Sequence, residues 1–312
     1  MTAPGSLEDR LTGALLGTAL GDAAGAPFEG TTSPVADRVD AWLGADGQLR
    51  WTDDTHMALA LAASLIATGG RVDPQHLGDT FARAYAEEPW RGYGSGPPQV
   101  FARAARGEPY VEAAAALFGG SGSLGNGGAM RAAPVAIVGC PDLAEVARLA
   151  RAQAAVTHAH PEGQDGAVLV AGGICAIVGD EDLRAGPVDA LEQVGQHLRT
   201  AELRDPLDAL VGVVRSGGDL DEAMAGRSTD VTAAGSVPAA VASFLLGGDS
   251  VVDVIRSAIL LGGDTDTVAA MAGALAGAAY GASSIPAALL DRLEARDDVL
   301  RLAGQLIEVR TA

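Results

Sequence analysis

The chain has 312 residues, 48% of them hydrophobic but only 4% aromatic, and 40 acidic against 21 basic residues give a formal net charge of −19. That length allows one large domain or two small ones, and the shortage of aromatics favours close-packed helices of Ala, Leu and Val over a β-sandwich. So acidic a surface disfavours nucleic acid as a general partner, but leaves room for an anionic small molecule received by a metal or by helix N-termini.

Residues 1–6 are expected to form a flexible tail. Its sequence, continuing into MTAPGSLEDR, is polar and acidic rather than a signal peptide. Leu7 to Ala26 follows as a helix in which Gly13, Gly17 and Gly21 recur every fourth residue. Gly273, Gly277 and Gly281 repeat the device near the other end, so these two helices are expected to touch along their backbones. Between Gly21 and Gly30, Asp22 and Glu29 are the only polar groups in a small-residue stretch. They belong either to a plain helix end or, for Glu29, to the mouth of a site.

Residues 30–50 look loop-like around one short helix. The stretch WTDDTHMALALAASLIA (Trp51–Ala67) then places Thr52, Asp53, Asp54 and Thr55 at the start of an Ala/Leu-rich helix. Gly69-Gly70 closes it as a C-cap would. A helix from Pro74 to Ala86 leads to EEPWRGYGSGPPQ (Glu87–Gln99), a Gly/Pro-rich surface segment carrying Trp90, Arg91 and Tyr93, with the look of a binding loop. A short helix over Val111–Phe118 comes before GGSGSLGNGGAMR (Gly119–Arg131). That stretch has neither a Walker lysine nor a preceding strand. Its backbone N–H groups, with Ser123 and Asn126, could cradle a phosphate, or form a plain flexible turn.

The next helix, Leu143–Val156, is followed by Thr157-His158-Ala159-His160 and a small-residue core helix. His158 and His160 lack a third nitrogen or sulfur ligand nearby, which argues for ligand-contacting or structural histidines rather than zinc. Cys140 and Cys175 lie in apolar runs and are expected to be buried free thiols of a reducing, cytoplasmic compartment. Residues 187–226 give amphipathic helices. Asp230–Leu246 gives another, with Pro238 near its first turn. Asp253–Leu261 delivers the chain to LLGGDTDTVAAMAGALAGAAY (Leu260–Tyr280). There Asp264, Asp266 and Thr267 precede a long apolar helix. No apolar window is long enough to span a bilayer.

One carboxylate at a helix N-terminus is ordinary, worth about 0.3–1 kcal/mol against the macrodipole. Two clusters, each of two Asp and flanking Thr, exceed what caps require. Brought together they would repel unless a cation sat among them. Thr52, Asp53, Asp54, Asp264, Asp266 and Thr267 offer only hard oxygens, which suit Mg²⁺, Mn²⁺ or Ca²⁺. The bland alternative is a pair of solvated caps.

Taken together, GALLGTALGDAAGAPFEG, WTDDTHMALALA, GSLGNGGAMRAAPVA, THAHPEG, SVPAAVASF and LGGDTDTVAAMAGALAGAAYG resemble the ADP-ribosylglycohydrolase family, in the family's order over roughly residues 10–281. The resemblance implies an all-α fold: a compact single-domain orthogonal bundle over residues 1–312, probing ADP-ribose in a cleft with two Mg²⁺ (Mn²⁺ possible). It implies metal ligation by Thr52, Asp53, Asp54, Asp264, Asp266 and Thr267. It places the diphosphate and proximal ribose at Gly122, Ser123, Gly125 and Asn126, the adenosine side at His158 and the ribose end at Gly92, Tyr93 and Gly94. Glu29, Asp53 and Asp266 are the catalytic candidates. Leu124 stands where some relatives have an aromatic that sandwiches adenine, and Phe118 is a possible replacement.

The implied activity is hydrolysis of the C1″ bond between ADP-ribose and an acceptor: arginine or serine of a protein, or the acetyl group of O-acetyl-ADP-ribose. A non-catalytic ADP-ribose-binding module and a metal-dependent nucleotide phosphohydrolase are the rival readings. The expected partners are ADP-ribose or ADP-ribosylated molecules, met by a monomer away from membranes.

Overall fold

The computed structural model describes residues 5–179 and 186–311. Among them are seventeen α-helices, four short 3-10 turns and no β-strand. Extended backbone pairs only at two isolated bridges, Leu49 with Leu293 and Gly125 with Thr232. Among the described residues, no helix is long and apolar enough to cross a membrane.

The centre of the molecule is an antiparallel pair, Leu7–Gly25 against Thr265–Tyr280. Its register follows the glycine ladder. Gly13 faces Gly277, Gly17 faces Gly273, Gly21 faces Ala269 and Gly25 faces Thr265. A Cβ added to Gly17 would lie 2.0 Å from the Gly273 carbonyl oxygen, and one on Gly277 would lie 1.9 Å from that of Gly13. Only glycine permits so close an approach. Both helices are enclosed nearly all round, which is why neither sequence shows an apolar stripe with a polar back. At the outer end of the pair, Ser6 is the N-cap and accepts from the Asp9 N–H at 3.1 Å; residues 1–4 of the expected tail lie outside the described residues.

A second apolar helix, Pro161–Gly179, packs against Thr265–Tyr280, Leu143–Ala155, Gly186–Gly195 and Ala233–Leu246. Cys140 and Cys175 are buried and free, as expected. Asp73, Asp142, Asp219, Thr232 and Ser250 each cap a helix by accepting a backbone N–H three residues on. Gly69 and Gly70 do close the Asp53–Ala67 helix, both with positive φ, and the Gly70 N–H reaches back to the Leu65 carbonyl at 2.8 Å.

Two local expectations fail. The Glu87–Gln99 segment is irregular only to Ser95; Gly96–Ala104 is a helix, because Pro97 and Pro98 stand in its first turn, where a missing N–H costs nothing. Pro238 is not in a first turn. The helix begins at Ala233, so Pro238 is its sixth residue and leaves the Ala234 carbonyl without its usual donor.

Candidate active site

The central pair fixes where the two acidic stretches meet. Asp264 begins the Thr265–Tyr280 helix, and Glu29 follows the end of the Leu7–Gly25 helix, so antiparallel packing puts them side by side. The join is stitched by backbone: Gly30 N–H to the Gly263 carbonyl (2.8 Å), Gly263 N–H to Thr31 (2.9 Å) and Thr265 Oγ1 to Gly25 (2.9 Å). Asp22, fully buried on the first helix, reaches across to the other stretch. Its carboxylate accepts from the backbone N–H of Thr52 and Thr55, both at 2.9 Å, and from Thr55 Oγ1 at 2.6 Å. Asp22 thus pins the start of the Asp53–Ala67 helix against the central pair.

These contacts open a cleft of about 530 Å³ whose walls come from every region expected to contribute. Asp53, Asp54, Asp264, Asp266, Thr267 and Glu29 line the acidic end. Gly122, Ser123, Gly125, Asn126 and His158 line the other, and Gly92 and Gly94 flank the acidic group. Two expected residues stand behind the wall. Thr52 is the N-cap of its helix, with Oγ1 accepting from the Asp54 N–H at 3.4 Å. Tyr93 turns its ring inward against Tyr85, with its hydroxyl 3.0 Å from His56 Nδ1.

The acidic end is crowded. One carboxylate oxygen from each of Glu29, Asp264 and Asp266 lies within 4.8 Å of the others. Thr267 Oγ1 donates to Asp54 Oδ1 at 3.4 Å, joining the two stretches directly. Burial, and then the surrounding carboxylates, push Asp53 up to about 7 and Asp266 to about 9, and raise Asp54 strongly. Asp264 is raised by burial, partly offset by its hydrogen bonds, the first from Asn126 Nδ2. Burial lifts Asp22 to about 6 against the pull of its donors. Glu29, at the exposed rim, is raised by partial burial and by Asp264. Asp54 Oδ2 is buried and has no hydrogen-bond partner among the described residues. Hard oxygens, mutual repulsion and an orphaned buried carboxylate oxygen together fit a hard divalent cation.

The glycine-rich end is electrically quiet. Asn126 donates to Ser236 Oγ at 3.0 Å as well as to Asp264, so it ties the loop to the acidic end. Gly119, Gly120 and Gly122 have positive φ, and a Cβ on Gly127 would lie 2.6 Å from His158 Cε1. His158 is buried at the end of a chain of donors. Arg131, wholly buried, donates to Thr157 Oγ1 at 2.8 Å, and Thr157 Oγ1 is 2.8 Å from His158 Nδ1. With Arg131 donating to it, the hydroxyl has its own O–H to donate to Nδ1, the arrangement that leaves the imidazole proton on Nε2. Burial, then the Arg131 charge, hold His158 neutral, pushing it down to about 3. Burial also lowers Arg131 to about 9.

Asp22, Arg131, Thr157 and Ser236 were not among the sequence-predicted site residues. Nor was Val231, which with Phe118 and Leu124 gives the cleft an apolar wall. All three are exposed large hydrophobics, Phe118 at 58% and Val231 at 65%. The one readable signal was Phe118, noted beside Leu124. Asp22 stood out only as a polar group among small residues, with nothing to show its role, since its partners lie some thirty residues on.

Residues 3–312 match the family model described as ADP-ribosylglycohydrolase. The ADP-ribosylhydrolase ARH3 of Danio rerio is 33% identical, aligned over 99% of this chain and 93% of its own length. That of Homo sapiens is 31% identical over 96% and 93%. An uncharacterized protein of Archaeoglobus fulgidus is 31% identical over 97% of each chain. A solved structure titled ADP-ribosylglycohydrolase-related protein complex superposes with a TM-score of 0.75 at 30% identity, covering 97% of this chain and 99% of its own.

Proposed function

The chain belongs to the ADP-ribosylglycohydrolase family, and we propose that its cleft hydrolyses the bond between C1″ of ADP-ribose and an acceptor in a reaction dependent on Mg²⁺ or Mn²⁺. It is a glycohydrolase enzyme of the ADP-ribosylhydrolase type. The observation that carries the finer reading is the convergence of five carboxylates, drawn from three distant stretches, on one end of a cleft whose other end is a glycine-rich loop beside a neutral histidine.

Asp53, Asp54, Asp264 and Asp266, with Thr267, are the residues that would hold two such cations, and Thr52, behind the wall, caps the helix that presents Asp53 and Asp54. Bound there, the pair supplies Lewis-acid charge to sugar hydroxyls and acidifies water. The remaining chemistry belongs to the chain. The carboxylates stabilise the positive charge that grows on C1″ and the ring oxygen as the acceptor leaves. Glu29, raised and exposed at the rim, accepts the proton of the attacking water. Asp53 and Asp266 are the alternative bases. Ser123, Asn126 and the backbone of Gly122 and Gly125 receive the diphosphate and proximal ribose, and the His158 Nε2–H donates to the ligand on the adenosine side. Phe118, Leu124 and Val231 offer the apolar surface for the base. Gly92 and Gly94 leave room for the distal ribose, backed by Tyr93.

The test is incubation with arginine-, serine- and O-acetyl-linked ADP-ribose, with Mg²⁺ or with EDTA. Free ADP-ribose with its diphosphate intact, released only with the metal, is the expected product. AMP or inorganic phosphate would replace this reading with a nucleotide phosphohydrolase. Binding without turnover would replace it with an ADP-ribose-binding module.

A further inference from the structure

We propose that a second recess binds the phosphoryl group of a small molecule, received by Arg148, Arg151 and Arg199. It lies on the face of the Leu143–Ala155 helix opposite Gln153, and none of its lining residues lines the cleft already described. The inference is independent of the hydrolase reading above.

The recess has a volume of about 390 Å³. Arg148, Arg151, Arg199, His197 and Gln164 surround it, with alanines between them and no acidic residue. In a chain of 40 acidic and 21 basic residues, three arginines without a carboxylate set this wall against the charge of the whole molecule. Helical spacing produces it. Positions 144, 147, 148, 151, 152 and 155 share one face, and four of them are alanine, so Arg148 and Arg151 stand on a low floor.

These side chains have donors to spare. Buried Asp165 uses both oxygens locally: Oδ1 accepts from Arg151 Nη2 at 2.8 Å, and Oδ2 accepts from the backbone N–H groups of Arg199 and Thr200. That anchors the Arg199 backbone beside Arg151. Arg151 Nη2 also donates to the His197 carbonyl, but Nη1 has only a 3.5 Å bond to the Ala147 carbonyl, and Nε is buried with no partner among the described residues. Arg199 is exposed, and its guanidinium makes no hydrogen bond or ion pair among the described residues. Glu145 holds Arg148, Nε to Oε2 at 2.7 Å, in an exposed pair that is worth little. Gln164 Nε2 donates to the Ala159 carbonyl at 3.1 Å and has a second N–H to give.

This donor set suits phosphate better than other anions. A carboxylate is planar, and one bidentate guanidinium satisfies it. A phosphoryl group carries about two charges and three acceptor oxygens, which take donors from several directions. The basic wall is confined to one recess of a chain at a net charge of −19, so an extended polyanion would meet repulsion around it. A small phosphorylated molecule stays within the recess, its organic part against the alanines.

The experiment titrates the protein with inorganic phosphate, and separately with AMP, at fixed ionic strength and in EDTA, so that no metal draws phosphate to the cleft. Backbone amide shifts of Ala147, Ala152 and Gln164 report on the recess, and those of Ser123 and Asn126 on the cleft. Saturable shifts at the recess are expected with both probes. Arg199→Ala is expected to weaken recess binding about tenfold and to leave the cleft shifts as they were, and Arg199→Lys to recover part of the loss. Since the Arg199 guanidinium has no partner to lose, unchanged amide shifts elsewhere will show that both variants are folded. Recess shifts equal to those given by sodium chloride or acetate, shifts that survive Arg199→Ala undiminished, or shifts confined to the cleft each overturn the proposal. Either ranking of the two probes supports it: tighter AMP identifies a phosphorylated organic molecule, and equal affinity identifies the free ion.

Discussion

The two ends of the cleft are built on opposite principles. At the acidic end, carboxylates are buried against one another and Asp54 Oδ2 is left without a partner. At the glycine-rich end, every buried polar group named above is satisfied, and a histidine is held neutral in one tautomer. The first end stores repulsion that a ligand must relieve; the second is complete before any ligand arrives. Substitutions should therefore separate the two. At the acidic end, function and stability should move in opposite directions, whereas at the other they should fall together.

The largest effect is expected from Asp266→Asn. Turnover should drop on the order of 10³-fold, the scale of losing one preorganised electrostatic group. The metal-free protein, relieved of a buried carboxyl that folding forces to take up a proton, should melt higher by about 2–3 °C, a shift of about 1 kcal/mol for a chain of this size. Turnover and melting in EDTA check both. A fall in both together would show that the acidic end is not strained and would erase the contrast.

Metal addition should give the next largest effect, and its pH dependence has a definite sign. Folding raises Asp22 to about 6, Asp53 to about 7 and Asp266 to about 9, so the folded metal-free chain binds more protons than the unfolded one. That stability is fully present below the unfolded carboxylate range near pH 4 and is lost as pH rises through those values. Cations compete with the same protons, so the rise in Tm on adding Mg²⁺ should be small at pH 5.5 and grow toward pH 8.5. Thermal melts at three pH values measure it, and a constant increment would refute it.

These expectations also mark what the sequence could and could not disclose. The glycine ladders at 13, 17, 21 and at 273, 277 announced the central contact, because a spacing of four on a helix makes one face and only glycine permits backbone contact there. Hydrophobic periodicity could not have done so, since both helices are buried on all sides. The acidic stretches were legible as clusters that needed each other. Asp22 was not: nothing local distinguishes a carboxylate that caps a helix thirty residues away from one that ends its own. Phe118, Leu124 and Val231 converge only through tertiary contacts of the loops that carry them. The Gly96–Ala104 helix was hidden because Gly and Pro were read as breakers, although Pro in a first turn is a start signal.

At the glycine-rich end, Gly127→Ala is expected to act third in size. Its Cβ would lie 2.6 Å from the His158 ring, a contact that must push the imidazole aside. KM for the ADP-ribose substrate should rise about tenfold, with a loss of stability of about 1–3 kcal/mol typical of overpacking. Steady-state kinetics beside a denaturant melt would register both. A raised KM with undiminished stability would place strain at this end as well.

The smallest change is expected from Thr157→Val, and it probes the relay rather than the room around it. The substitution keeps the shape of the side chain but removes the hydroxyl that accepts from Arg131 and donates to His158 Nδ1. Arg131 keeps its bonds to Gln153 Oε1 and to the Gln153 carbonyl, so the buried guanidinium loses one acceptor of several, a cost of about 1–3 kcal/mol in stability. His158 loses the group that holds its proton on Nε2. With Nδ1 free to carry the proton, a share of molecules present a bare nitrogen to the ligand instead of a donor, and KM should rise about threefold while kcat stays the same. Nitrogen chemical shifts of the imidazole read the tautomer directly, Nε2–H in the wild type and a mixture in the variant. An unchanged tautomer with raised KM would assign the loss to packing, and would leave His158 positioned by the walls of its pocket rather than by the arginine behind it.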